Sequence, residues 1–277
     1  MVAGGLLLGT VGVFVEESGQ GALTAVWCRC AFGALALLAW GTCSGRLGEL
    51  RLRGRALGAA LGAGLLMILN WGLFFAAMQR TSIGLATVVF HVQPLWVLAA
   101  AAWWWHERVT RAQLGAVVAA LLGLALATGL ADGSLLALDR GQLWGLLLCL
   151  GGSLSYAGVT LIAKSAPGLS PYALACWQCF VGTAVLLAWP LTQGWPAAGP
   201  AWAWLAGLGA IHTGLAYVIL YAGMARLAAG RIALLQFVYP VAALGMDWLI
   251  YGRALAPLQL AGVGLMGLAL WSLRRPG

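Results

Sequence analysis

The chain has 277 residues, of which 62% are hydrophobic and only 8% are charged, and its formal net charge is +8 at neutral pH. A soluble globular domain normally carries about 25% charged residues, so the composition excludes an ordinary soluble protein and indicates an integral membrane protein. In that setting the positive charge does not imply nucleic-acid binding, because the basic residues lie in short connections between apolar segments, where they set topology.

Ten apolar segments follow one another along the chain, separated by short turns rich in Gly, Pro, Ser and Arg. A transmembrane β-barrel would instead show alternating segments of about ten residues. The first segment is shorter than the roughly 20 residues of a usual span, so we expect a tilted, partly buried helix or a missing native N-terminus. The predicted all-α membrane fold has ten transmembrane helices, at residues 2–15, 22–41, 56–77, 83–105, 111–130, 141–163, 171–190, 201–222, 230–251 and 257–273.

The basic residues predict how these spans are oriented. With a cytoplasmic N-terminus, the internal connections hold eleven Arg and Lys residues and the external ones three. Because basic residues favour the cytoplasmic side, we predict that both termini are cytoplasmic and that the loop at 132–140 is external. The internal residues are Arg46, Arg51, Arg53, Arg55, Arg108, Arg111, Lys164, Arg226, Arg231, Arg274 and Arg275. The external residues are Arg80, Arg140 and Arg253.

The chain also repeats itself. The motif LLAW at 37–40 recurs at 186–189, an offset of 149, and HVQP at 91–94 matches FVYP at 237–240, an offset of 146. Five spans per copy is an odd number, so the second copy enters the membrane inverted. Inverted repeats are typical of secondary transporters, whose substrate site lies near the midplane. The two predicted five-helix repeats cover residues 1–130 and 141–277.

Two prolines lie at the centres of the fourth and ninth spans, Pro94 and Pro240. A proline leaves the carbonyl four residues earlier without its helical donor, here those of Phe90 and Gln236. Lipid cannot satisfy such carbonyls, so they should face protein or a wet cavity. We interpret the region either as a pair of plain kinks beside a packing histidine, or as a substrate site. In the second case His91, one turn from Pro94, donates to a carboxylate.

Further polar and aromatic residues complete this hypothesis. Asn70 adds a second donor for the carboxylate, and the Gln236 side chain with its carbonyl would bind an ammonium group. The third span places Asn70, Trp71 and Phe74 on one face, and the eighth places His212, Thr213 and Tyr217 on one face. Packing is an equal alternative for any single residue. The predicted substrate-binding residues are Asn70, Trp71, Phe74, His91, Pro94, Tyr156, His212, Tyr217, Gln236 and Tyr239.

This set is aromatic with a few neutral donors, which suits a zwitterion or a small polar molecule. A phosphate-bearing substrate usually requires an Arg and Lys cluster, which the set lacks. Two charged residues, Arg29 and Asp247, lie in the outer halves of their spans, where they either pair or extend outward. The Cys176–Cys179 pair has no second pair or His cluster beside it, so we predict no disulfide, no metal and no cofactor.

A resemblance to a known family follows from particular segments. They are Arg29 in the second span, QRTSIGLATVVFHVQPLWV at 79–97 leading to His106-Glu107, and the echo GMARLAAGRIALLQFVYPV at 223–241. These segments resemble the drug/metabolite transporter superfamily in its ten-helix EamA-type branch, most closely the YddG-type amino-acid exporters. That family often has a Gly-Glu pair after the broken helices, whereas this chain has His-Glu in the first half and Gly-Arg in the second.

The resemblance implies a central cavity lined by the third, fourth, eighth and ninth spans, with the first and sixth contributing, and alternating access in a bacterial inner membrane. We therefore expect a secondary transporter that exports amino acids or related small metabolites. The alternatives are a drug or other metabolite exporter and, with less support, a membrane-embedded enzyme or scaffold. No nucleophile with a base and an orienting group is found, so no catalytic residue is predicted. The expected partners are a small-molecule substrate and the lipid bilayer, without nucleic acid, for a monomer or weak homodimer.

Overall fold

A computed structural model of the chain describes residues 1–130 and 139–272. Every regular element within these ranges is a helix, which agrees with the predicted all-α class. Most of the predicted external loop at 132–140 lies outside the described residues, as do Arg274 and Arg275.

Residues 1–130 form seven α-helices and a short 3₁₀ turn at Leu47–Leu50. Residues 139–272 form eight α-helices and a π-helical segment at Leu208–Leu215. The helices of the first half are α1 (Val2–Gly9), α2 (Val11–Ser18), α3 (Ala22–Cys43), α4 (Gly54–Met78), α5 (Ile83–Phe90), α6 (Gln93–Trp104) and α7 (Arg111–Ala127). Those of the second half are α8 (Arg140–Ser165), α9 (Pro171–Val185), α10 (Ala188–Gln193), α11 (Ala201–Gly207), α12 (Ala216–Met224), α13 (Ala229–Leu235), α14 (Val238–Tyr251) and α15 (Pro257–Trp271).

Seven helices of the described chain are long and apolar enough to cross a membrane when α5–α6, α9–α10, α11–α12 and α13–α14 are each taken as one span. This confirms a multi-pass helical membrane protein. Three predicted spans form shorter helices: 2–15 divides at Thr10 into α1 and α2, and 111–130 and 257–273 contain α7 and α15. The count of ten spans therefore stays a prediction.

Both central prolines lie immediately after a break in their span. Helix α5 ends at Phe90 and α6 begins at Gln93, so that Pro94 stands in the first turn of α6. In the same way α13 ends at Leu235 and α14 begins at Val238, just before Pro240. Proline tolerates the first turn of a helix because its missing N–H has no helical acceptor there. Each proline therefore starts a new helix instead of bending a continuous one.

The helices group into two compact units that cut across the predicted repeats. Unit 1 comprises Met1–Ile68 and Val159–Arg226, and unit 2 comprises Leu69–Gly158 and Leu227–Gly277. Helices α4 and α8 each contribute to both units. Each unit thus takes helices from both predicted repeats.

Glycines allow helices to approach closely inside each unit. In unit 1 a Cβ added to Gly209 would lie 2.4 Å from Phe32 Cβ and 2.8 Å from the backbone N of Gly33, so the π-helical segment rests directly on α3. In unit 2 a Cβ on Gly123 would lie 2.7 Å from the carbonyl oxygen of Gly262, where α7 crosses α15. Close backbone approach through small residues is how membrane helices gain packing contacts without a hydrophobic driving force between them.

Candidate functional site

The break between α5 and α6 presents His91, whose residue surface is only 6% exposed. Its ring Nδ1 lies 2.7 Å from the carbonyl oxygen of Thr87. A carbonyl can only accept, so Nδ1 carries the hydrogen, and in the neutral ring Nε2 is then an acceptor. The sequence predicts that His91 donates to a carboxylate, whereas the neutral ring with this bond presents an acceptor at Nε2.

Aromatic rings surround this break within unit 2. The ring centroid of Phe90 lies 5.0 Å from that of Phe74 on α4 and 6.1 Å from that of Tyr156 on α8, with which it stacks. The imidazole of His91 lies 5.7 Å from the Phe90 ring. Three helices thus contribute rings to one side of the break.

The second broken helix contributes the remaining rings. His91 stacks on Tyr239 at 6.1 Å with an interplanar angle of 18°, and its centroid lies 6.0 Å from that of Phe237. Phe237 is the residue that matches His91 at the repeat offset of 146. We call the whole group the His91 cluster, and its members are Phe74, Phe90, His91, Tyr156, Phe237 and Tyr239.

Gln236 brings a polar group to the break between α13 and α14. Its side-chain Nε2 is buried and has no hydrogen-bond partner within the described part of the chain. A buried donor without a partner costs about 1–3 kcal/mol, which an incoming acceptor would recover. The polarity predicted from the sequence is thus reversed, because the available donor belongs to Gln236 and the acceptor to His91.

Asn70 serves helix packing in this structure. It is buried, and its Nδ2 donates to the carbonyl oxygen of Gly152 at 2.9 Å, which joins α4 to α8. A Cβ on Gly152 would lie 3.3 Å from the Asn70 carbonyl oxygen, so the two helices are in close contact. One turn further along each helix, Phe74 and Tyr156 reach the His91 cluster. Trp71 is half-buried on α4, and Pro94 is buried at the start of α6.

Unit 1 contains a second polar group, built around Arg29 on α3. The guanidinium Nε donates to Thr213 Oγ1 at 2.8 Å, and Cζ lies 5.9 Å from the ring centroid of Tyr217. Tyr217 stacks on Tyr221 at 5.5 Å, and the Tyr221 hydroxyl donates to Gln178 Oε1 at 2.5 Å. These five residues form the Arg29 cluster. The chain of contacts holds the charge of Arg29 inside the unit, where an isolated charge would be very costly.

His212 has other contacts than Thr213 and Tyr217, with which the sequence predicts a shared face. It is fully buried, and its Nε2 lies 2.7 Å from Thr10 Oγ1. The Thr10 hydroxyl also donates to the Leu7 carbonyl at 2.8 Å. The bond between His212 and Thr10 connects the π-helical segment to the division between α1 and α2. Two of the ten predicted residues, His212 and Tyr217, thus lie in unit 1 and the other eight in unit 2.

Four residues of the two clusters were not predicted from the sequence as site residues. They are Phe90 and Phe237 in the His91 cluster, and Gln178 and Tyr221 in the Arg29 cluster. Gln178 could have been found, because an amide between apolar neighbours in the middle of a span is costly and faces inward. The two phenylalanines carry no such signal, since apolar residues are expected throughout a span.

The remaining predicted polar features have separate partners. Asp247 accepts from Arg253 Nη1 at 2.7 Å in unit 2, and its candidate pairing with Arg29 stays a prediction. All six cysteines are free thiols, and five of them are buried. Within residues 1–130 and 139–272, no group of three or more His, Cys, Asp or Glu residues could hold a metal ion.

Comparisons with known proteins agree on one family. A sequence model of the EamA-like transporter family matches residues 1–129 and again 143–275. The uncharacterized transporter YxxF of Bacillus subtilis is 26% identical over 288 residues, covering 100% of this chain and 89% of the relative. An uncharacterized transporter of Archaeoglobus fulgidus is 30% identical over 271 residues, covering 97% and 92%.

A crystal structure with 16% sequence identity superposes with a TM-score of 0.83 and covers 97% of this chain and 93% of that protein. At this identity the likeness concerns the fold alone, and it supports the helical architecture described above. The family match and the 30% identical relative each cover nearly the whole chain. This protein therefore belongs to the EamA-like transporter family of the drug/metabolite transporter superfamily.

Proposed function

We propose that this transporter exports amino acids or closely related small zwitterions by alternating access, and that the His91 cluster with Gln236 is its substrate site. The observation that carries the proposal is the pair of broken helices. Each break precedes a mid-span proline, the two breaks are related by an offset of 146, and both lie in unit 2. Broken helices at membrane depth are typical of substrate sites, because freed backbone groups need a polar environment.

The polarity of the two breaks supports an orientation for the substrate. The neutral His91 ring accepts through Nε2, so it would receive a hydrogen bond from the ammonium group. The buried Nε2 of Gln236 donates, so it would bind a carboxylate oxygen. The surrounding rings of the His91 cluster favour an apolar or aromatic side chain between these ends. An alternative substrate is another small metabolite or drug with one donor and one acceptor end.

The finer features of the architecture are part of the same proposal. Ten spans in two inverted five-helix repeats are supported by the co-linear sequence matches and by the two matched breaks. The excess of basic residues in alternate connections supports cytoplasmic termini in a bacterial inner membrane. Cysteine accessibility at position 134 tests this orientation, because labelling from the external side only is expected.

Proteoliposome transport tests the substrate assignment. Purified protein is reconstituted and loaded vesicles are assayed for counterflow of labelled neutral and aromatic amino acids, with nucleotide sugars as a comparison set and empty liposomes as the blank. We expect transport of amino acids and none of the nucleotide sugars. Transport of nucleotide sugars alone would overturn the proposal.

The variant His91→Ala tests the site. Loss of one hydrogen bond to a charged group costs about 1.5–3 kcal/mol, so transport at low substrate should fall by roughly ten- to a hundredfold while the melting temperature stays near wild type. Pro94→Ala should instead slow the maximal rate, because it acts on the break and not on a ligand contact. If His91→Ala has wild-type rate and apparent affinity, His91 does not belong to the site.

A further inference from the structure

Two helices that begin at matching positions of the chain are capped in different ways. Helix α5 is capped locally, because the side chain of Ser82 accepts from the Leu85 backbone N–H at 3.2 Å. Helix α13 starts after Ala228, the residue that matches Ser82 at the offset of 146, and alanine has no side-chain acceptor. Its first backbone N–H, that of Ala229, instead donates to the carboxylate Oε2 of Glu107 at 3.0 Å.

Glu107 comes from a distant part of the chain, the connection between α6 and α7. The backbone conformation of this connection places Glu107 beside α13. His106 has a φ of 54°, a left-handed conformation that is rare outside glycine. The backbone N–H of Glu107 then donates to the Ala101 carbonyl at 3.1 Å, which closes the end of α6. The carboxylate is thereby held at the start of α13, where an anion is favourable.

A second contact joins the same two segments. A Cβ added to Gly230, next to Ala229, would lie 2.7 Å from the side-chain Cδ and Nε2 of Gln113. Gln113 also caps the backbone N–H of Thr110 at 3.1 Å at the start of α7. The connection between α6 and α7 and the first turn of α7 therefore touch the start of α13 at two adjacent residues, all within unit 2.

We infer that Glu107 is a positioning residue for substrate binding: its carboxylate ties the start of α13 to the end of α6 and so sets the position of the Gln236 break relative to the His91 break. The inference rests on the proposed function, because it assumes that the two breaks bind one substrate. A local cap such as that of Ser82 stabilises only its own helix. A cap supplied from another element also fixes the distance between two helices.

A rescue variant distinguishes a cap that only stabilises α13 from a cap that also fixes the distance between two helices. Glu107→Ala removes the cap, and Glu107→Ala with Ala228→Ser gives α13 a local cap of the kind that α5 has. Spin labels at Arg111 and Arg231, both exposed, report the distance between the starts of α7 and α13 in protein without substrate. The exposed Cys43 is replaced by serine beforehand so that labelling stays specific.

We expect Glu107→Ala to broaden the spin-label distance distribution and to raise the apparent KM for the best transported amino acid by roughly three- to tenfold, since a lost cap is worth about one factor of ten or less. Ala228→Ser should restore hydrogen-exchange protection at the first turn of α13 but neither the distance nor the KM. Ser82→Ala is the matched control. It should lower hydrogen-exchange protection at the first turn of α5 and leave the labelled distance unchanged.

Two results would overturn the inference. One is full recovery of both distance and KM in the rescue variant, which would make Glu107 a helix cap only. The other is an unchanged distance in Glu107→Ala. Because the distance is measured without substrate, a wild-type protein that transports no amino acid would defeat the proposed function while the spin-label result still decides the role of Glu107.

Discussion

The Arg29 cluster of unit 1 and the pair of helix breaks in unit 2 hold their polar residues in different ways. In unit 1 the guanidinium of Arg29 donates to Thr213 and lies beside the Tyr217 ring. At Gly209 the π-helical segment is in close contact with α3. In unit 2 the polar groups of His91 and Gln236 lie at breaks in their helices, and Gln236 Nε2 is left without a partner among the described residues. A satisfied network favours a structural role, whereas an unsatisfied buried group requires an explanation, and the proposed substrate site supplies one for Gln236.

The largest effect is expected at the glycine contact of unit 1. In Gly209→Ala the new methyl group would lie 2.4 Å from Phe32 Cβ and 2.8 Å from the Gly33 backbone N. Because backbone cannot move aside as a flexible side chain can, we expect a loss of about 3 kcal/mol or more in stability. Thermal unfolding followed by tryptophan fluorescence measures this change, since the chain has 15 Trp residues.

Gly72→Ala is the matched control, since nothing lies within 4 Å of its added Cβ on α4 in unit 2. That substitution should be neutral or stabilising by up to about 1 kcal/mol, because alanine is the better helix former. Equal melting temperatures for the two variants would contradict the tight α3 contact.

The next effect concerns Arg29 itself. Arg29→Ala removes a charged hydrogen bond to Thr213 and the contact with the Tyr217 ring. We expect a loss of about 2–3 kcal/mol in stability, with little change in the apparent KM of the protein that remains folded. This is the reverse of the pattern expected for His91→Ala. A large rise in KM at unchanged melting temperature would show that the Arg29 cluster binds substrate, and would remove the distinction between the units.

Features of the fold that a single residue determines were predictable from the sequence. Features that depend on the packing of other helices or on a side-chain rotamer were not. The breaks before Pro94 and Pro240 follow from the missing N–H of proline, which no context can supply. A shared face for His212 and Tyr217 was predicted from the α-helical period, but His212 lies in a π-helical stretch. Its contact with Thr10 depends on where α1 and α2 lie, which the helical period does not reveal. The acceptor role of His91 Nε2 in the neutral ring was missed because the bond between Nδ1 and Thr87 depends on a rotamer that composition does not reveal.

A smaller effect is expected at the matched ends of the two broken spans in unit 2. His106 and Gly252 are related by the offset of 146, follow α6 and α14, and have φ angles of 54° and 63°. A non-glycine residue in this left-handed backbone conformation lowers stability by roughly 1 kcal/mol. His106→Gly should therefore raise stability by about 1 kcal/mol, and Gly252→Ala should lower it by a similar amount. Melting curves of the two variants measure this, and a destabilised His106→Gly would mean that the His106 side chain makes compensating contacts.

The smallest effect is a pH dependence of unit 1, in the connection between α3 and α4. Arg46 donates to Glu49 through Nε at 2.5 Å and Nη2 at 3.1 Å, and Ser170 at the start of α9 also donates to Glu49. The hydrogen bond from Arg46 is the main cause of a lowered pKa of Glu49. A carboxyl group whose pKa is lower in the folded state adds stability above its unfolded pKa, near 4.3, and loses it as the pH falls through the folded value.

The stabilisation that the Arg46–Glu49 pair adds at neutral pH should be below about 1 kcal/mol. Both side chains are about one-third exposed, and water screens the pair. Glu49→Gln should remove this contribution, so that the melting temperatures of wild type and variant differ slightly at pH 7 and converge below pH 4. The pair of Asp247 and Arg253 in unit 2 is more exposed, and Asp247→Asn offers the control. A difference between wild type and Glu49→Gln that grows toward low pH would show that the contact between the α3–α4 connection and α9 does not depend on the ionised carboxylate.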